Sequence, residues 1–175
     1  IERRLLGRDA RGRWVFAPTL APSALDEVPL PRSLRQLVAL RLADLAPDSL
    51  RVARMAAVLG REIDASVLAD ALGSTVEDFF GATSELVRRQ VLEEPHRGRF
   101  AFVHDKLREV TYDAIERTAR SALHARARDV LRTNATNEAE VGRLAPTLAH
   151  HCLEAGDTDG AIGYLAIAGE RALAA

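Results

Sequence analysis

A mainly α-helical chain carrying one or two small β-hairpins is what the sequence predicts, and three observations carry that expectation. After residue 31, apolar residues recur at the helical period through most of the chain. Capping residues and glycines punctuate that pattern at helix-length intervals. Only residues 1–16 and 91–103 alternate in the manner of paired strands.

Composition bounds the function. The chain has 175 residues, 47% of them hydrophobic, enough for one large or two small domains with a real core. Its formal net charge is -1 with both signs interspersed, so no long-range field draws it onto nucleic acid or an anionic membrane. No apolar run approaches the 18 residues or so that a bilayer span requires. The start, Ile1-Glu2-Arg3-Arg4, has neither an initiator methionine nor an apolar signal core and reads as a mid-protein start. Cys152 is the only cysteine, which excludes an intramolecular disulfide and suits a reducing, cytoplasmic compartment. Lys106 is the only lysine.

Taken in order, Arg4–Leu6 and Arg13–Phe16 read as two short strands around a polar, glycine-bounded turn. Pro18, Pro22, Pro29 and Pro31 mark residues 17–31 as an extended linker. Ser33–Leu45 places Leu34, Leu37, Val38, Leu42 and Leu45 on one helical face. Asp48–Leu59, after Pro47 and before Gly60, is apolar nearly all round and is expected to be the central buried helix. Asp64 caps a short helix ending at Gly73. Ser74-Thr75-Val76-Glu77 is a capping box opening a helix with Val76, Phe79, Phe80, Thr83, Leu86 and Val87 on one stripe.

Val91–Pro95 and Arg99–Val103 flank His96-Arg97-Gly98 as a hairpin with Phe100 and Phe102 inward. Three helices followed by a hairpin is the order of a winged helix. Asp105 and Thr118 are the expected caps of two further helices. Asn134–Asn137 breaks the second, and a helical pair, Leu144–Ala155 and Thr158 to about Ala174, turns at Gly156-Asp157. Pro146 either sits in the first turn or kinks its helix.

Four blocks resemble the region after the ATPase core of bacterial STAND-type signalling NTPases. They are Leu30–Leu42, Ala56–Ile63, Phe100–Tyr112, and Leu148–Asp157 running through Ala161–Leu165. The last is similar to a first tetratricopeptide-like (TPR-like) repeat. The resemblance runs from about Trp14 to the C-terminus. It implies residues 1–30 as the tail of an ATPase lid plus linker, 31–117 as a winged-helix-like domain, and 118–175 as a helical linker and first repeat. Such regions are fused to Ser/Thr kinase, histidine kinase, nucleotide cyclase or LuxR-type outputs. The phosphate loop, Gly-x-x-x-x-Gly-Lys-Ser/Thr, occurs nowhere in the chain. The resemblance implies ATP or ADP with magnesium for the parent protein, and no cofactor is expected in this segment.

The resemblance also implies a role for His104, since a Met-His-Asp triplet at this place lets the histidine reach nucleotide phosphates; here Val103 replaces the methionine. Independently, a helix N-terminus favours an anion, and a histidine there adds a donor. Asp105 supports the site as the cap. The bland alternative leaves Asp105 a cap and His104 a packing residue. His150-His151-Cys152 cannot converge on one ion, because consecutive helical residues point about 100° apart, and no metal site is expected. No nucleophile elbow or paired carboxylates mark a catalytic site.

The expected function is a regulatory segment relaying nucleotide state between an ATPase core and helical repeats, its partners being other domains of the same polypeptide or a signalling protein. Whether the chain is itself an enzyme stays open. The alternatives are a passive TPR-type interaction scaffold and a winged-helix DNA-binding regulator. The helix from Thr75 to Arg89 lacks a basic face, which disfavours the last.

Overall fold

The structure is a computed structural model that describes residues 6–8, 14–16 and 32–173. The chain divides into two compact units, residues 1–35 and 36–175. In the first, β1 (Leu6–Arg8) pairs antiparallel with β2 (Trp14–Phe16), Gly7 opposite Val15. The hairpin is as expected, with its first strand two residues later. The linker expected over 17–31 lies outside the described residues.

Helix α1 (Arg32–Ala43) leads into the second unit, with Val38 and Leu42 buried at helical spacing and Leu45 buried just beyond its end. Its centre is α2 (Pro47–Leu59), where Val52, Ala53, Met55, Ala56, Ala57 and Val58 are all buried. The small residues let α3 (Ala65–Leu72), α4 (Val76–Arg88), α5 (Asp105–Asp113) and α6 (Arg117–Asn134) pack around it. No side chain of Ala46 can cap α2, and the cap comes from α4 instead. Glu85 Oε2 accepts from the Ser49 hydroxyl at 2.6 Å and from the Ala46 amide at 3.3 Å.

A three-stranded antiparallel sheet closes this part, in the order β3 (Glu62–Asp64), β5 (Arg99–Phe102), β4 (Leu92–His96). Strand β3 was not expected. It has a single buried residue, Ile63, and its pairing with β5 is tertiary. Pro95 lacks an N–H and sits on the edge strand, where the register shifts between Glu93 and His96. Phe79 meets Phe100 edge-on at 6.3 Å.

Several local expectations are corrected. Asp64 does cap α3, accepting from Ser66 N. The cap of α4, however, is Thr75, accepting from Asp78 N, one residue later than the expected box. The stripe on α4 is too wide for one face: Phe79, Thr83 and Leu86 are buried, while Val76 and Phe80 are 72% and 63% exposed. Neighbours in sequence lie about 100° apart on a helix, so both sets cannot face the core. Helix α6 is capped by Glu116 rather than Thr118, its carboxylate accepting from Thr118 N and Ala119 N.

The last two helices are α7 (Glu138–Ala155) and α8 (Thr158–Leu173), packed on each other. Helix α7 starts six residues before the expected Leu144, because Asn137 caps it by accepting from Glu140 N at 2.9 Å. Pro146 therefore lies inside the helix, not in its first turn. Gly156 ends α7 with φ 84°, a left-handed geometry that favours glycine. Asp157 Oδ1 accepts from Gly160 N at 2.9 Å, holding the start of α8. Among the described residues of α8 only Ala161 is buried, and Ile162 and Leu165 are more than half exposed.

Candidate functional site

The start of α5 holds the residues singled out from sequence. The chain leaves β5 at Phe102, and His104 takes the N-cap position with extended backbone, φ -141° and ψ 137°. Its carbonyl accepts from Leu107 N at 2.9 Å, while its imidazole makes no capping hydrogen bond and is exposed. His104 therefore does not pack under the hairpin. Asp105, expected as the cap, is instead the first helical residue, and the cap position lies one residue earlier. Its carboxylate meets the exposed Arg61, with Nε to Oδ1 at 2.9 Å and a second close contact from Nη2. One helical turn on, Arg108 Nη1 donates to Ala57 O at 3.4 Å, near the C-terminal end of α2, where a cation is favoured.

Chemically, this surface offers an uncommitted imidazole at a helix N-terminus beside a guanidinium–carboxylate pair. Such an arrangement suits an oxyanion contact if Arg61 turns from Asp105 to the incoming charge. No nucleophile adjoins a base here.

A second constellation escaped the sequence reading. His124 in α6, not among the expected site residues, is 1% exposed. Its Nδ1 lies 2.9 Å from Nδ1 of His151 in α7, and its Nε2 lies 2.9 Å from the Tyr112 hydroxyl of α5. Tyr112 Oη in turn donates to Glu154 Oε2 at 3.4 Å. His150 is exposed, its ring 5.5 Å from His124 and 5.6 Å from His151. The spacing could have revealed His124, which sits three residues before the buried Ala127 on the inner face of α6.

In the His150-His151-Cys152 run the two imidazoles both adjoin His124, closer together than their helical phase alone suggests. His151 and Cys152 are both buried. Burial, chiefly, pushes the Cys152 thiol up, with Asp157 adding to it. Among the described residues, no group of three or more His, Cys, Asp or Glu side chains is placed to hold a metal ion.

The nucleic-acid alternative can be judged at α4 and the hairpin tip. The outward face of α4 carries Val76, Phe80 and Val87, which are apolar. At the tip, Arg99 lies 3.8 Å from Glu62, and Glu94 accepts from the Gly98 amide. No described helix is long and apolar enough to cross a membrane. A scan against protein-family models, a search of curated proteins and a search of solved structures each find no match to this chain.

Proposed function

We propose that this chain is a non-catalytic coupling segment of a multidomain, ATP-binding signal-transduction protein. It would relay nucleotide state between an ATPase core and helical repeats. The order α2–β3–α3–α4–β4–β5, with β5 between β3 and β4, supports reading residues 31–117 as a winged-helix-like domain. The antiparallel α7–α8 pair, turning at Gly156-Asp157, supports a TPR-like first repeat. The observation that carries the nucleotide part is the exposed, uncommitted His104 imidazole at the α5 N-terminus.

The test uses the ATPase-bearing chain that this reading implies. A hydrogen bond from His104 to a charged phosphate oxygen is worth about 1.5–3 kcal/mol. His104→Ala should therefore weaken ADP binding roughly 10- to 100-fold. ATP affinity should change less, since only a differential contact biases a switch. Calorimetric titration of both nucleotides decides, and an unchanged ratio of affinities would end the sensor role. The passive scaffold is the second reading, favoured by the exposed Ile162 and Leu165 on α8. DNA binding has less support, because the outward face of α4 mixes apolar Val76, Phe80 and Val87 with acidic Glu77 and Asp78 where a reader would carry cations.

A further inference from the structure

The Tyr112–His124–His151 chain joins three helices that follow one another in sequence, α5, α6 and α7, and its proton order can be derived. Tyr112 Oη donates to Glu154 Oε2, so it must accept from His124 Nε2–H. That makes His124 Nδ1 the bare acceptor, and His151 Nδ1–H the donor to it. His151 Nε2 is then an unprotonated nitrogen, buried and without a hydrogen-bond partner. The reverse order would leave a buried N–H without a partner and forfeit the Glu154 contact, which costs more. All three hydrogen bonds, the 3.4 Å one to Glu154 included, are made in the first order.

A further proton must either break a hydrogen bond of this chain or bury a charge without a partner. A proton on His124 Nδ1 would point at the His151 Nδ1–H, two donors 2.9 Å apart. A proton on His151 Nε2 would place an unpaired charge in the core. The charged groups around it do not compensate. From α5, Arg108 acts on Tyr112; from α6, Arg120 stacks over the Tyr112 ring at 4.9 Å; from α7 come His150 and Glu154. Of these only Glu154 favours a cation, and it is exposed.

We propose that this chain is an acid-release latch: with both imidazoles neutral it holds α7, and with it α8, onto α5 and α6, and mild acidity frees the α7–α8 pair while α2 stays folded. The electrostatics agree in sign. Burial, foremost, lowers both His124 and His151 from 6.5 to about 4. A lowered histidine contributes stability that is complete above 6.5 and is lost as pH falls toward 4. An opened state that restores the ordinary value gains about 20-fold in its opening constant per imidazole between pH 7 and pH 5. The proposal is independent of nucleotide coupling.

Hydrogen exchange read by mass spectrometry on the full chain, at pH 7 and pH 5 and corrected for intrinsic rates, tests the latch. Protection of residues 138–173 should fall by at least 20-fold at pH 5, while residues 47–59 change little. The double variant H124F/H151F should lose that difference between the two pH values. A uniform loss across both segments, or no loss, overturns the proposal. Imidazole NMR titration of the wild type decides without any variant. The latch requires both His124 and His151 to titrate below pH 6, with the neutral proton on His151 Nδ1 and on His124 Nε2. Titration of either above pH 6 overturns it.

Discussion

Arg128 in α6 reaches Asp157 at the start of α8, with Nη1 2.9 Å from Oδ2. The other carboxylate oxygen accepts from Gly160 N. One side chain thus caps α8 and ties it to α6. Asp157→Ala should cost about 1–2 kcal/mol, mostly as a lost cap, since the partly exposed ion pair adds under about 1 kcal/mol. Asp157→Asn keeps the cap and should cost less than half as much. Urea midpoints of the three proteins check the order; equal losses for Ala and Asn would assign the effect to the ion pair.

Glu85 serves α2 in a similar way, and it predicts a pH dependence. The Ser49 hydroxyl, foremost, holds the Glu85 carboxyl below its usual range, with Ala46 N and Arg89 acting in the same sense. A lowered carboxyl contributes stability that is present above its ordinary value of 4.5 and is lost as pH falls through the folded one. Glu85→Gln should be less stable than wild type at pH 7 by about 1 kcal/mol. It should also lose less on going from pH 5 to pH 3. Parallel losses in both proteins would remove Glu85 as the source.

At the candidate site, exposure changes what a melting experiment can say. His104 makes no capping bond and Asp105 pairs only with the exposed Arg61. His104→Ala and Asp105→Asn should each move the melting temperature by under about 2 °C, as surface changes do. A drop of more than about 5 °C in His104→Ala would give the residue a packing role that its geometry denies.

Helix α8 should exchange its amide protons faster than α2 at neutral pH. It buries one described residue, Ala161, against seven in α2. Few buried contacts mean low local opening energy. Equal, high protection of both helices in a monomeric sample would contradict this.

What the sequence disclosed follows from range. The buried α2, the Asp64 cap and the hairpin turning at Gly98 are local patterns, and each lay within a window of about a dozen residues. The strand pairing of Ile63 with Phe100 and the contact of His124 with His151 were not legible, because the partners lie far apart along the chain. Thr118 is the stronger local cue for a cap than Glu116, yet the Glu116 carboxylate takes two of the free amides and the threonine hydroxyl too. At the candidate site, His104 and its neighbour were legible from the helix start, whereas the engagement of Asp105 by Arg61, on the loop after α2, was not.

The borrowed cap on α2 also sets an order in time. The Ala46 amide finds its acceptor on Glu85, 39 residues later. At a ribosomal rate of about 5–20 residues per second, roughly 2–8 s separate the two during synthesis. A central helix of the described residues is thus made early and finished late, because its first turn lacks this acceptor until α4 has left the ribosome.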